Sequence, residues 1–203
     1  MSLVDAAIEA QGGLDRWREI ERIEVDFRTG GIALPLKSQP DLLRRVTAVA
    51  ETGHPRVEFR GIGTFDSHDR RPAGMARRFR WTRQDVVHFA GYALWGYLAV
   101  PFVFADDDVG VVELSGRRLR VDFPPRIPAH CRTQVFHFDR DAVLTRLDYT
   151  AEVMLGPFAR AHHRLYDHEW LEGLLVSRRR RVTPPWLPRP ILVALDIDRF
   201  RAY

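Results

Sequence analysis

Residues 160–183 read RAHHRLYDHEWLEGLLVSRRRRVT, and residues 133–151 read TQVFHFDRDAVLTRLDYTA. In the first, two runs of strand length, Arg160 to Trp170 and Leu174 to Thr183, flank Glu172-Gly173, a pair suited to a tight turn. In the second, Thr133 to Asp139 and Val143 to Ala151 flank Arg140-Asp141 in the same way. The pattern repeats outward in both directions. Gly110 to Leu114 and Leu119 to Phe123 flank Ser115-Gly116, and Leu43 to Glu51 and Arg56 to Ile62 flank Thr52-Gly53-His54-Pro55. Ile23, Val25 and Phe27 alternate with Glu24, Asp26 and Arg28 up to Gly30-Gly31, the period-two signature of a half-buried strand. Arg77 to Thr82 reads as another strand with Phe79 and Trp81 on one face, and Ile191 to Ile197 as the last. Before them come two short helical pieces. Ser2 and Asp5 form a capping box ahead of Val4, Ala7 and Ile8, and after Gly12-Gly13 the residues Leu14, Trp17 and Ile20 keep helical spacing. About ten strands without βαβ alternation predict a mainly β (α+β) chain: one curved antiparallel sheet or unclosed barrel, a single domain over residues 1–203.

The centre breaks this rhythm. Phe89 to Ala105, FAGYALWGYLAVPFVFA, holds no charged residue in 17 positions. A membrane-spanning helix needs ~20 apolar residues. This run is shorter, contains Gly91, Gly96 and Pro101, and stops at Asp106-Asp107-Asp108. It predicts an apolar helix, broken near Pro101, lying on the concave face of the sheet as a plug or lid. Insertion of the same segment into a membrane surface is the competing expectation.

Composition narrows the function classes. The chain has 203 residues, 45% of them apolar, and a mean hydropathy of −0.26, which excludes a polytopic membrane protein. Lys37 is the single lysine among 31 basic residues, against 27 acidic ones, for a net charge of +4. Acidic and basic residues interleave, so no stripe of the kind that binds nucleic acid is present. Cys131 is the single cysteine, which excludes an intramolecular disulfide and a cysteine-based metal cluster. The opening MSLVDAAIEA, with Asp5 and Glu9 in it and no basic segment before it, does not read as a signal peptide. The expected location is cytoplasmic.

The order of elements resembles a known superfamily. An N-terminal helix with Gly-Gly and Leu-Asp-Arg-Trp is followed by meandering strands, an apolar helix around Trp95, and the hairpins FHFDRDAVLTRLDY and HHRLYDHEWLEGLLVSRRRRV. This order is similar to that of the LolA/LolB-like carriers of bacterial lipoproteins and their relatives. The resemblance is one of element order over most of the chain, not of a motif. It implies an unclosed antiparallel barrel with helices against its concave face and an apolar cavity between them. The carriers are exported or membrane-anchored. Neither a leader nor a lipobox is read here, so the expected cargo is a hydrophobic molecule other than a lipoprotein.

The motifs of chemistry are sparse. His162, His163 and His168 are the densest histidines, but on a strand His162 and His168 stand ~20 Å apart, too far for one metal. Asp66-Ser67-His68-Asp69 reads as a solvated turn rather than a metal loop. Ser115 and Ser177 lack the setting of a catalytic serine, and adjacent His130 and Cys131 would point apart on a strand. No catalytic residue, cofactor or metal is therefore expected. Aromatic residues are more numerous on the inward faces than a thin sheet needs, which suits a pocket of apolar walls with a few polar groups. The expected function is non-enzymatic binding or carriage of a hydrophobic, acidic small molecule such as a lipid or fatty acid. Its expected ligand-binding residues are Trp81, Tyr92, Trp95, Phe136, Phe138, Tyr149, His162, Arg164, Tyr166, Arg178 and Arg180. The arginines would meet a carboxylate or phosphate. The rivals are an enzyme using His162 and Tyr166 in the same cavity, and a peripheral protein in transient contact with a membrane through Phe89 to Ala105.

Overall fold

The computed structural model describes residues 2–155 and 159–203. Strands β1 (Arg22–Gly30), β2 (Arg45–Glu51), β3 (Arg56–Phe59) and β4 (Gly63–Asp66) form a first meander. A second runs β5 (Gly110–Leu114), β6 (Arg118–Asp122), β7 (Thr133–Phe138), β8 (Leu144–Thr150), β9 (Arg160–Leu171) and β10 (Leu174–Thr183), and β11 (Val193–Ala202) follows. All join one 11-stranded antiparallel sheet in the order β4-β3-β2-β1-β11-β10-β9-β8-β7-β6-β5. The edges β4 and β5 do not pair, so the barrel stays open. This is the unclosed antiparallel sheet expected from the order of the elements.

The helices are α1 (Leu3–Ala10), α2 (Leu14–Glu19), the single turn α3 (Ala33–Leu36), α4 (Arg83–Ala99) and the single turn α5 (Glu152–Leu155), with a 3-10 turn at Phe102–Ala105. The topology explains the sheet's curvature. β4 and β5, the two edges, are consecutive in sequence, and α4 is the long helix between them. The chain must cross the whole sheet to get from one edge to the other. α4 packs closely on β2, β3 and β4, while its Tyr97 ring lies 4.5 Å from that of His163 on β9. One helix can touch both halves only if the sheet wraps around it. That also explains its sequence: a helix apolar all round is one buried all round.

Helix α4 begins six residues before the apolar run. Thr82 and Asp85 form a capping box, with Asp85 N–H donating to Thr82 Oγ1 at 3.2 Å and Thr82 N–H to Asp85 Oδ2 at 2.8 Å. Asp85 is fully buried, and Arg78 Nη1 lies 2.9 Å from Oδ2. Burial pushes the Asp85 carboxyl up, but the bonds from Thr82 and Arg78 outweigh it and hold it below the ordinary carboxylate range. A Cβ at Gly91 would stand 2.1 Å from the Cβ of Phe65, so only glycine lets α4 lie on β4. Trp95 donates its Nε1–H to the Glu51 carbonyl at 2.8 Å, and Trp17 stacks on Phe102 at 4.5 Å.

Three expectations are corrected. Arg77 to Thr82 is not a strand: Met75–Arg77 is a 3-10 turn, and the chain then runs extended into the cap of α4. Trp81 is buried, donating to the Met75 carbonyl at 3.1 Å, whereas Phe79 is 91% exposed. Gly63–Asp66, read as part of a loop, is the edge strand β4. The segment Phe89 to Ala105 is interior, with Phe89, Trp95, Phe102 and Phe104 all buried, so it inserts into no membrane in this fold.

Candidate functional site

The inner face of the sheet is fixed by cross-strand register. On β9, His163 pairs with Val182 of β10 and Leu147 of β8, and Leu165 pairs with Arg180. Residues directly opposite share a face. The inward set is therefore Leu147, Tyr149, Ala161, His163, Leu165, Arg180 and Val182, and all are buried. His162 pairs with Thr183, and Arg164 with Arg181. His162 and Arg164 are thereby placed on the outer face, and Tyr166 is exposed. Expecting His162, Arg164 and Tyr166 in the concavity beside Arg180 required two opposite faces at once. The apolar pair Ala161 and Leu165 decides the phase of β9. The enzyme rival loses its cavity location with this correction. On the outer face His162 joins a network instead. His137 Nε2 lies 2.7 Å and Arg146 Nη2 2.9 Å from Asp148 Oδ2, with His162 Nε2 3.5 Å from Oδ1.

Arg178 and Arg180 also part company. Arg178 is half-buried and donates to Glu169 at 2.7 Å and to the Ile197 and Asp198 carbonyls. Arg180 is buried, 6% exposed, with Nη2 donating to the Tyr97 carbonyl at 3.1 Å and its guanidinium 5.1 Å from the centre of the Tyr97 ring. Nη1 has no partner, and no carboxylate pairs with this side chain among the described residues. Burial pushes its pKa down to about 10. Beside it, His163 is fully buried with both ring nitrogens unpartnered. Burial first, then the charge of Arg180, holds His163 well below the ordinary histidine range.

Helix α4 supplies the opposite wall. Tyr92 Oη lies 3.2 Å from His130 Nδ1 and Tyr97 Oη 3.1 Å from Nε2, while Tyr149 stacks on the imidazole at 4.1 Å. A neutral imidazole has one donor and one acceptor, so one tyrosine donates to it and the other accepts from it. Burial drives the His130 pKa down to about 3. Cys131 is turned away, with Sγ 3.1 Å from the Thr133 carbonyl.

Small cavities lie between α4 and strands β1, β7, β8, β10 and β11. One of about 60 Å³ is lined by Leu34, Phe89, Ala93, Tyr97, Tyr149 and Leu195 among others. Another of about 30 Å³ touches Tyr92, Ala93, Trp95, Tyr97, His130 and Phe136. A void of about 20 Å³ adjoins Arg180, Tyr97 and Phe102. Tyr97 borders all three. As they stand, they have room for water rather than for an acyl chain. Outside, a groove of about 310 Å³ shares Tyr92, Phe123 and Ile127 with the second cavity and carries Arg71, His88 and Arg132. Of the expected residues, the structure therefore gathers Tyr92, Trp95, Phe136, Tyr149 and Arg180 around these spaces. Trp81 and Phe138 are buried core residues that line none of them. Tyr97, His130 and His163 were not anticipated as site residues. Tyr97 and His130 carry no local signal; their roles come from contacts across 33 residues of chain.

The chain resembles two solved structures in fold. A DUF1329 family protein from Desulfovibrio piger matches with a TM-score of 0.51 at 10% identity, over 98% of this chain and 91% of that one. A LolA superfamily protein from Nitrosomonas europaea matches with a TM-score of 0.45 at 12% identity, over 93% and 90%. The first likeness shows the fold alone, and the second decides nothing further. No family model and no curated protein matches the chain.

The Asp66 turn differs from its reading as a simple solvated loop. Asp66 Oδ1 accepts from the His68 N–H at 2.9 Å, the expected turn, and also lies 2.8 Å from His54 Nε2. One ligand atom each from His54, Asp66 and His68 falls within a 4.8 Å cluster. Arg56 Nε, 3.8 Å from the other Asp66 oxygen, opposes a cation there.

Proposed function

We propose that the protein binds and carries a hydrophobic acid, its chain between α4 and the second half of the sheet and its carboxylate on Arg180. The observation that carries this reading is a buried guanidinium without a counter-anion, next to apolar cavities. An unpaired buried charge is costly, and a fold that keeps one has a use for it. A ligand carboxylate would supply the missing anion through a charge-assisted hydrogen bond.

Space for the tail comes from parting surfaces that already fit loosely. α4 is anchored on β2–β4 by Gly91 against Phe65 and by the Trp95 bond to Glu51. The cavities lie on its other side, against β1, β7, β8 and β11. A small outward shift of β7–β11, with rotation of Tyr97, merges them without disturbing the anchor. Each buried methylene contributes roughly 0.8 kcal/mol, so ten offer about 8 kcal/mol. Association and the opening itself cost several kcal/mol, leaving micromolar binding.

The test is displacement of a fluorescent fatty acid by dodecanoic acid. Ala93 borders both larger cavities, so Ala93→Leu fills them from within. Micromolar binding to the parent protein and its loss in a folded Ala93→Leu variant support the reading. Equal binding by both variants, or none by the parent, overturns it.

A further inference from the structure

Among the described residues, six of the ten large hydrophobic side chains that are exposed gather at one end of the sheet. They are Ile32, Leu36, Phe79, Trp186, Leu187 and Ile191, with Phe79 91%, Leu36 66%, Trp186 65% and Leu187 58% exposed. The backbone ties their segments together. Ile32 N–H donates to the Ile191 carbonyl at 3.1 Å and Ala33 N–H to that of Leu192 at 2.9 Å. Trp81 N–H donates to the Lys37 carbonyl at 2.9 Å, and Lys37 Nζ to the Arg78 carbonyl at 2.8 Å, which sets Phe79 beside α3. Trp186 follows the end of β10 and lies under the guanidinium of Arg160, the first residue of β9.

The charges around this rim differ from those of the outer sheet face. There, Arg28, Arg178, Arg179 and Arg181 each pair with a carboxylate. At the rim, Arg45, Arg77, Arg80 and Arg189 are exposed and make no ion pair among the described residues. Aromatic and aliphatic groups projecting from among free arginines fit one kind of partner, a bilayer with anionic headgroups. The cavity of about 60 Å³ borders the same end, through Gly30, Leu34, Leu43 and Val193.

We propose that this rim docks the protein on an anionic lipid bilayer, with Phe79 and Trp186–Leu187 entering the interface. The central apolar segment takes no part, because it is buried. The proposal does not need the interior ligand site: vesicle binding is measured without a ligand, so either can fail alone.

The experiment is flotation with vesicles of phosphatidylcholine, and of phosphatidylcholine with phosphatidylglycerol in equal parts. The mixed vesicles should carry the protein, the neutral ones should not, and added salt should release it. Phe79→Asp with Trp186→Asp should abolish binding; Arg77→Gln and Arg80→Gln should weaken it roughly fivefold each. All four sites are exposed, so the fold should survive. Trp170→Asp is the control: Trp170 is also exposed but sits near the far end of β9, ~30 Å from Arg160. Its binding should equal that of the parent. Absence of flotation, indifference to the Phe79 and Trp186 changes, or an equal loss in Trp170→Asp would overturn the proposal; capture by a protein partner in place of vesicles would do the same.

Discussion

Replacing Arg180 with methionine should leave the fold as stable as before or more so, while removing the preference for acids. Burial lowers the Arg180 pKa from the ordinary arginine value to about 10. At 1.36 kcal/mol per unit, holding this charge in the interior costs about 3 kcal/mol. Against that stands the bond to the Tyr97 carbonyl, whose loss leaves an acceptor unsatisfied at roughly 1–3 kcal/mol. Methionine fills most of the space with an apolar chain, so the balance falls between zero and a gain of about 2 kcal/mol. For a chain of this size, each kcal/mol moves Tm by about 2–4 °C. Denaturant titration gives the stability, and calorimetry compares dodecanoic acid with dodecanol. In the parent the acid should bind more tightly. In Arg180→Met the two should become equal, and the alcohol should bind as before. A loss of more than about 2 kcal/mol would make the guanidinium a structural strut. An acid preference that survives would place the carboxylate elsewhere.

Acid should unfold the protein through two histidines. His130 and His163 have folded pKa values below the unfolded 6.5, so the stability they contribute is complete above pH 6.5 and falls as pH drops below it. At pH 5 the loss is roughly 2 kcal/mol for His130, and His163→Leu should make the pH dependence shallower. The two glycines of α4 should part: Gly91→Val should prevent folding or cost several kcal/mol, while Gly96→Ala, with nothing within 4 Å, should gain about 1 kcal/mol. Elemental analysis of untagged protein should find no stoichiometric zinc. Zinc present in the parent and lost in His54→Ala would assign it to the His54–Asp66–His68 cluster instead.

The sheet was legible because its hairpins announce themselves. Each turn pair, from Ser115-Gly116 to Glu172-Gly173, sits where the chain reverses. The start of α4 was also written in the sequence, as Thr82-x-x-Asp85, although the uncharged run behind it drew the helix later. The site was legible only in part. Period-two alternation gives the faces of β9 but not which one is inside, and both faces carry histidine. Ala161 and Leu165 beside His163 settle it once the register with Arg180 is known. His130 gave no local sign at all, because its partners Tyr92, Tyr97 and Tyr149 come from α4 and β8. Phe79 failed for the opposite reason: an alternating run looked like a strand, but no neighbouring strand was there to pair with it.

A crystal structure of the protein with dodecanoic acid tests the central claim most directly. The carboxylate should lie within about 2.7–2.9 Å of Arg180 Nη1, as a charge-assisted bond does. The tail should run past Tyr97 between α4 and the strands β8 and β11, with Gly91 still against Phe65. An interior unchanged from the present one, with the acid absent or bound only in the outer groove, would contradict the account.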